Sequence, residues 1–290
     1  MKTIGIVGAG TMGSGIAYIA AASDHTVLLY DLSKDQLKKA RDRIQDLATK
    51  AVQKNLLSPE SAQGISGRIK TQKNLGDLSS SDLIIEAAVE DIRIKRDIFQ
   101  QLDRTTRPDT ILATNTSSFS VTELSSVTKH PERFAGMHFF NPPHILKLVE
   151  VVRGHRTSEK TVSALVDVAR RMGRIPVVVK DTPGFIVNRV ARPFYGEALK
   201  LLDEGVSTVE EIDRIVRLEG GFKMGPFELM DLIGIDVNYA VTQSVYEQFF
   251  QEPRFRPHPI QRQMVASGTL GRKTGKGFYT YDDRGSRAKD

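Results

Sequence analysis

From the amino terminus to about residue 180, short apolar runs alternate with stretches in which apolar residues recur every three or four positions. Residues 3–7, Thr-Ile-Gly-Ile-Val, form a run of strand length, and residues 14–22 follow with helical spacing. Residues 26–30 are a second run, and 37–57 read as a long helix that Ser58-Pro59 ends. Residues 66–78 have no clear period and leave room for one short strand. Residues 83–89, 110–114, 134–140, 148–152 and 175–179 supply further strands, with helices over 92–102 and 159–172. Strands and helices in alternation predict a parallel sheet covered on both faces, a doubly wound α/β fold of the Rossmann type.

After Lys180-Asp-Thr-Pro-Gly184 the pattern changes, and no strand signal returns before the extreme carboxyl end. Residues 186–202 place Val187, Val190, Ala191, Phe194, Ala198 and Leu201 at helical spacing, and Pro193 inside them predicts a kink or a broken start. Ser207 and Glu210 form a capping-box pattern ahead of Val209, Ile212, Ile215 and Val216. Residues 229–250 read as one more helical run. The expected organisation is an α/β domain over residues 1–183 and an all-α domain over 184–290.

Between the first strand and the first helix lies Gly8-Ala-Gly10-Thr11-Met12-Gly13. Gly8 allows a tight turn, Gly10 lets the backbone approach a pyrophosphate, and Gly13 lets helix pack on strand. The helix amino terminus offers N–H groups and a positive dipole to phosphates. The second strand ends in Asp31, close to the spacing expected for the carboxylate that binds an adenosine ribose. A dinucleotide site over Gly8, Gly10, Thr11, Met12, Gly13 and Asp31 follows, against the plainer reading of a glycine turn. Asp31 favours NAD over NADP because a carboxylate repels a 2′-phosphate; no arginine follows it directly, and Lys34 is the nearest cation.

With 290 residues the chain is long enough for a substantial core without staples. It has no cysteine, which excludes disulfides, thiolate metal sites and thiol catalysis. No metal site is expected. The first residues enter a strand directly and no apolar run reaches membrane-spanning length, so a cytoplasmic protein without a membrane partner is expected. The net charge of +6 is concentrated in residues 34–54 and in the tail 284–289. The basic stretch is either a solvated helix face or a landing surface for a phosphorylated substrate. Nucleic acid is disfavoured, since no aromatic residue interleaves it.

Ligands of open parallel sheets bind at the carboxyl ends of the strands. There the chain places Glu90, Asn115 and His138, and Glu150 lies between apolar neighbours in Leu148-Val-Glu-Val-Val. A carboxylate so flanked is costly to bury without a partner. His138 is the candidate: a carboxylate on one ring nitrogen fixes the tautomer while the other nitrogen exchanges a proton. The alternative is a Glu150 on the solvent side of an edge strand and a hydrogen-bonded core histidine. Ser117 reads either as a helix cap or as a site residue, and Asn188, one turn into an apolar helix, either as a structural hydrogen-bonder or as a site residue.

Asn115-Thr-Ser-Ser, His138-Phe-Phe-Asn-Pro, Lys147-Leu-Val-Glu-Val-Val, Asp181-Thr-Pro-Gly-Phe-Ile-Val-Asn-Arg189, Met224-Gly-Pro-Phe-Glu-Leu and Arg272-Lys-Thr-Gly-Lys-Gly-Phe-Tyr279 occur in this order across nearly the whole chain. The set resembles the L-3-hydroxyacyl-CoA dehydrogenases, in particular the short, single-function bacterial members. The resemblance implies NAD-dependent interconversion of (S)-3-hydroxybutyryl-CoA and acetoacetyl-CoA. His138 would be the general base or acid, oriented by Glu150, with Ser117 and Asn188 on the substrate. It further implies Glu90, Lys95, Asn115, Ser117, Asn141 and Lys273 near the cofactor, and Lys54, with Lys50 beside it, on the coenzyme A phosphates. The helical domain would close over the substrate and form a homodimer. His144 departs from the small or proline residue usual after the paired prolines. Two competing expectations are a dehydrogenase of a free 3-hydroxy acid or sugar acid, which would not need Lys54, and a non-catalytic nucleotide-binding scaffold.

Overall fold

The computed structural model describes residues 1–288, and the chain divides into two compact units, Met1–Thr182 and Pro183 onward. Lys289 of the basic tail lies outside the described residues.

The first unit runs β1 (Thr3–Val7), α1 (Thr11–Ala22), β2 (Thr26–Tyr30), α2 (Lys34–Gln53), α3 (Pro59–Arg68), β3 (Ile69–Gln72), β4 (Leu83–Glu86), α4 (Ile92–Thr105), β5 (Ile111–Thr114), α5 (Val121–Ser125), β6 (Phe134–Phe139), β7 (Leu148–Arg153), α6 (Glu159–Arg171) and β8 (Ile175–Lys180). The eight strands lie in the order β3-β2-β1-β4-β5-β6-β7-β8. Chain direction reverses only between β6 and β7, so β7 and β8 oppose the other six strands. The cause is the link: residues 140–147 alone join β6 to β7, too few for the helical crossover that a parallel neighbour needs. The strand order reverses at β1, between β2 and β4, which opens a crevice at their carboxyl ends. One apolar core joins the sheet to its helices, from Ile4 and Ile6 through Ile16 and Ala20 to Val149 and Leu165.

Two local readings change. α2 begins at Lys34, where the Ser33 side chain accepts from the Gln36 N–H, and ends at Gln53. The Ser58-Pro59 pair is also a start signal: Ser58 caps α3, with Pro59 in its first turn. That helix escapes periodicity because it buries only Ala62 and Ile65 and carries Gly64 and Gly67. The short strand within 66–78 is β3.

The second unit holds α7 (Val187–Asp203), α8 (Val209–Leu218), α9 (Pro226–Ile233), α10 (Ile235–Gln248) and α11 (Pro259–Ala266). α7 continues through Pro193. The cap of α8 is Thr208, not Ser207: Thr208 is extended and its hydroxyl accepts from Glu211 N–H. The run 229–250 is two helices, because Gly234 takes φ 101° between α9 and α10. Buried Asp231 accepts from the N–H groups of Phe278 and Tyr279 and from the Tyr281 hydroxyl, tying the segment after α11 to α9. Around these elements Leu199, Phe227, Met230 and Ile235 form a separate core.

At the amino end of β2, burial lowers the His25 pKa, helped by the amino-terminal charge and Arg171. The folded state therefore resists protonation. Above the ordinary histidine range the ring is neutral whether folded or unfolded and the protonation penalty vanishes; stability is lost as pH falls from about 6.5 toward the lower folded value. Chemical denaturation at pH 7.5 and 5.5 should show a smaller acid loss in His25→Leu than in the parent.

Candidate active site

The crevice is built from backbone. Gly8 has φ +100°, and a Cβ there would lie 2.5 Å from the Ala87 carbonyl oxygen. A Cβ on Gly13 would lie 1.8 Å from the Gly8 carbonyl oxygen, so α1 can begin this close to β1 only with glycine. At Gly10 a Cβ would meet nothing within 4 Å, which leaves an open face over the start of α1. Asp31 accepts from the Ala9 N–H at 2.7 Å and from the Ser33 N–H at 2.8 Å, so the carboxylate lies against the loop. An open backbone face at a helix amino terminus, with a carboxylate beside it, fits the pyrophosphate and ribose of a dinucleotide. Thr11 and Met12 begin α1 at this face.

Beside it, at the end of β4, stands an ionic chain, buried at Glu86 and Lys95 and open to solvent at Glu90. Lys95, from α4, lies 2.6 Å from Glu86 Oε1 and 3.1 Å from Glu90 Oε2, and its side chain is 1% exposed. Glu86 also accepts from the Thr114 hydroxyl at 2.7 Å and the Ala88 N–H at 2.7 Å. Glu90 Oε1 accepts from the Thr116 hydroxyl at 2.5 Å, the Ser117 N–H at 3.0 Å and the Ser118 hydroxyl at 2.7 Å. Burial pushes the Glu90 carboxyl up. The Lys95 charge and the Thr116 and Ser118 hydroxyls outweigh it and hold the group below the usual carboxylate range.

Glu90 thus grips the backbone of Ser117, whose Oγ lies 3.0 Å from His138 Nε2. His138 Nδ1 is 2.8 Å from Glu150 Oε2, and the two side chains are 4% and 1% exposed. The antiparallel step makes this pair: His138 and Glu150 are direct partners across β6 and β7. Side chains directly opposite in adjacent strands share a face. β7 is not an edge strand, since β8 lies outside it, so the solvent-side alternative for Glu150 does not hold. An ionised carboxylate only accepts, so Nδ1 carries the proton, and Nε2 then presents its lone pair toward the Ser117 hydroxyl. A histidine set in this way can take a proton from a hydroxyl and return it.

The capping role considered for Ser117 belongs to Ser120, whose hydroxyl accepts from Glu123 N–H at the start of α5. Asn115 accepts the Phe139 N–H at 2.8 Å and so fixes the end of β6. Asn141 is exposed just beyond that strand. The first unit therefore gathers Glu90, Lys95, Asn115, Ser117, His138 and Glu150. Lys50 lies in the last turn of α2 and Lys54 caps it, both exposed. Asn188 and Lys273 belong to the second unit. Asn188 is in the first turn of α7 rather than a turn inside it, and its carbonyl accepts from Arg192 Nε at 3.1 Å. Lys273 pairs with Asp236 at 2.5 Å. His144 packs edge-on to Tyr18, with centroids 6.5 Å apart. Glu86, Thr114 and Thr116 escaped the sequence reading. Glu86 carried the same signal as Glu150, a carboxylate inside an apolar strand.

Family comparison agrees with this geometry. The family description "3-hydroxyacyl-CoA dehydrogenase, NAD binding domain" matches residues 3–182, and "3-hydroxyacyl-CoA dehydrogenase, C-terminal domain" matches residues 184–281. The chain is 46% identical to the 3-hydroxyadipyl-CoA dehydrogenase of Escherichia coli (strain K12) over 97% of its own length, and spans 59% of that longer relative. It is 41% identical to the 3-hydroxybutyryl-CoA dehydrogenase of Clostridioides difficile, covering 96% of this chain and 99% of that one. The crystal structure of (S)-3-hydroxybutyryl-CoA dehydrogenase from Ralstonia eutropha superimposes with a TM-score of 0.94 at 40% identity, over 98% of this chain and 100% of the other. The chain belongs to the 3-hydroxyacyl-CoA dehydrogenase family, with an NAD-binding first unit.

Proposed function

We propose that this protein interconverts short-chain (S)-3-hydroxyacyl-CoA esters, 3-hydroxybutyryl-CoA among them, and the corresponding 3-ketoacyl-CoA with NAD. The observation that carries the reading is the row from buried Glu150 and His138 to half-buried Ser117, at 2.8 and 3.0 Å, beside a glycine loop open at Gly10. NAD, when bound, would supply the acceptor for the hydride that leaves C3 of the substrate. His138 Nε2 removes the proton from the 3-hydroxyl in oxidation and returns it in reduction. Glu150 holds the ring in the tautomer this needs and stabilises the imidazolium formed. Ser117 hydrogen-bonds the 3-oxygen and passes its hydrogen bond from His138 to the substrate. Positioning by these groups is expected to supply much of the rate, because the reacting carbon must meet the cofactor in one geometry.

In the same reading Asn188 contacts the substrate, Asn141 and Lys273 belong to the cofactor side, and the second unit closes over the thioester and pairs two copies. The same reading puts the activity in the cytoplasm, a reducing compartment that suits a chain without cysteine. No helix among the described residues is long and apolar enough to cross a membrane. Lys54 and Lys50 end a basic helix suited to anionic coenzyme A. Lys54→Ala should raise the acyl-CoA KM roughly two- to fivefold, the worth of one exposed charge contact, and leave NADH binding unchanged. Steady-state kinetics with acetoacetyl-CoA and a fluorescence titration of NADH check this, and an unaltered KM removes Lys54 from the site.

The function itself is tested by NADH oxidation with acetoacetyl-CoA, beside NADPH, free acetoacetate and acyl-CoA esters of increasing length. Fast NADH oxidation that fades with chain length is expected. Turnover of the free acid alone would overturn the coenzyme A assignment.

A further inference from the structure

The ionic chain under the glycine loop does more than hold a serine. We infer that Glu86, Lys95 and Glu90, the first two buried and the third half-exposed, act as one group of net charge −1, which favours the oxidised, positively charged nicotinamide over the reduced, neutral one.

Three observations lead there. First, the charges do not cancel. Lys95 is the single cation between two carboxylates, at 2.6 and 3.1 Å. Glu86, wholly buried, receives three donors on its two oxygens, Lys95, the Thr114 hydroxyl and the Ala88 N–H, an arrangement that suits the ionised form. Burying such a carboxylate is costly, and for Lys95 alone Glu90 would have been partner enough. Second, the group lies under the crevice. Glu86 ends β4, and the Ala88 N–H that it accepts belongs to the segment packed against Gly8. Third, its exposed member reaches the reacting region. Glu90 holds Ser117 N–H at 3.0 Å, and Ser117 Oγ contacts His138. Hydride transfer removes the ring's positive charge. A fixed negative charge nearby therefore changes the relative affinity of NAD+ and NADH, whereas a purely structural role weakens both alike.

The inference rests on the nicotinamide half of the cofactor lying over the ends of β4 and β5. The test is a pair of equilibrium titrations of the full chain without acyl substrate, NAD+ by calorimetry and NADH by fluorescence, in the parent and in Glu86→Gln. The ratio Kd(NAD+)/Kd(NADH) should rise about tenfold in the variant, the order expected for one charge on the order of 10 Å away at an effective dielectric near 20. Thr114→Val removes a neutral hydrogen bond to Glu86 but no charge, and should leave the ratio within about twofold. Should Glu86→Gln fail to fold, Glu90→Gln makes the same charge change on a half-exposed member. An unchanged ratio in a folded variant overturns the inference. Failure of the parent to bind either cofactor would instead overturn the cofactor reading beneath it.

Discussion

Replacing Glu150 with Gln is expected to lower turnover roughly 10² to 10⁴-fold, the usual worth of general acid–base catalysis, with NADH affinity unchanged. Gln keeps the volume of Glu, so no cavity opens, and its carbonyl can still accept the proton on His138 Nδ1. What it loses is charge. The imidazolium formed as His138 takes the substrate proton is held in a site where the two side chains are 4% and 1% exposed. Water cannot replace the missing counter-charge there, so the loss falls on the step that charges the ring. Turnover with acetoacetyl-CoA and a fluorescence titration of NADH separate the two effects. Near-normal turnover in a folded Glu150→Gln protein would show that the pair is structural only.

The glycine loop allows a second large effect and an internal contrast. Gly13→Ala would drive a Cβ to within 1.8 Å of the Gly8 carbonyl oxygen, backbone against backbone. Neither partner can rotate away, so α1 must shift off β1, at an expected cost of about 1–3 kcal/mol in stability and at least a hundredfold in NADH affinity. Gly10→Ala meets no atom within 4 Å, and the φ of −67° at Gly10 is open to alanine. Its melting temperature should match the parent's, while NADH binding falls because the methyl occupies space reserved for pyrophosphate. Thermal denaturation beside NADH titration of both variants checks the contrast. Tight NADH binding by Gly10→Ala would move the phosphates away from this face.

Much of this was legible in the chain before any coordinates. Residues 3–7, 26–30 and 83–86 read as strands because their apolar runs are short and bounded, although the third run continues in the sequence to Val89, past the end of β4 at Glu86. The Gly8, Gly10, Gly13 and Asp31 pattern is readable because it is short and continuous in the sequence, although only the demand on Gly13 is local: that on Gly8 comes from Ala87, and Gly10 meets nothing. Local signals mislead where they are ambiguous. Ser58-Pro59 ends one helix and begins another with equal ease. One residue, Gly234, divides a run that periodicity alone would join. Ser207 and Thr208 are both good caps, and backbone conformation chose Thr208.

The alternation of strand and helix, the change of pattern near residue 183, the glycine loop and, through six motifs in order, the family are readable from the chain alone. All of these depend on neighbours close along the chain or on identities that survive as text. That His138 and Glu150 meet, and that buried Glu86 and Lys95 share an ionic chain with half-exposed Glu90, is visible only once the chain is folded. Those outcomes depend on the register of β6 against β7 and on the docking of α4 beside β4. Such contacts bring together residues 9 to 28 positions apart in sequence, where no local propensity reaches.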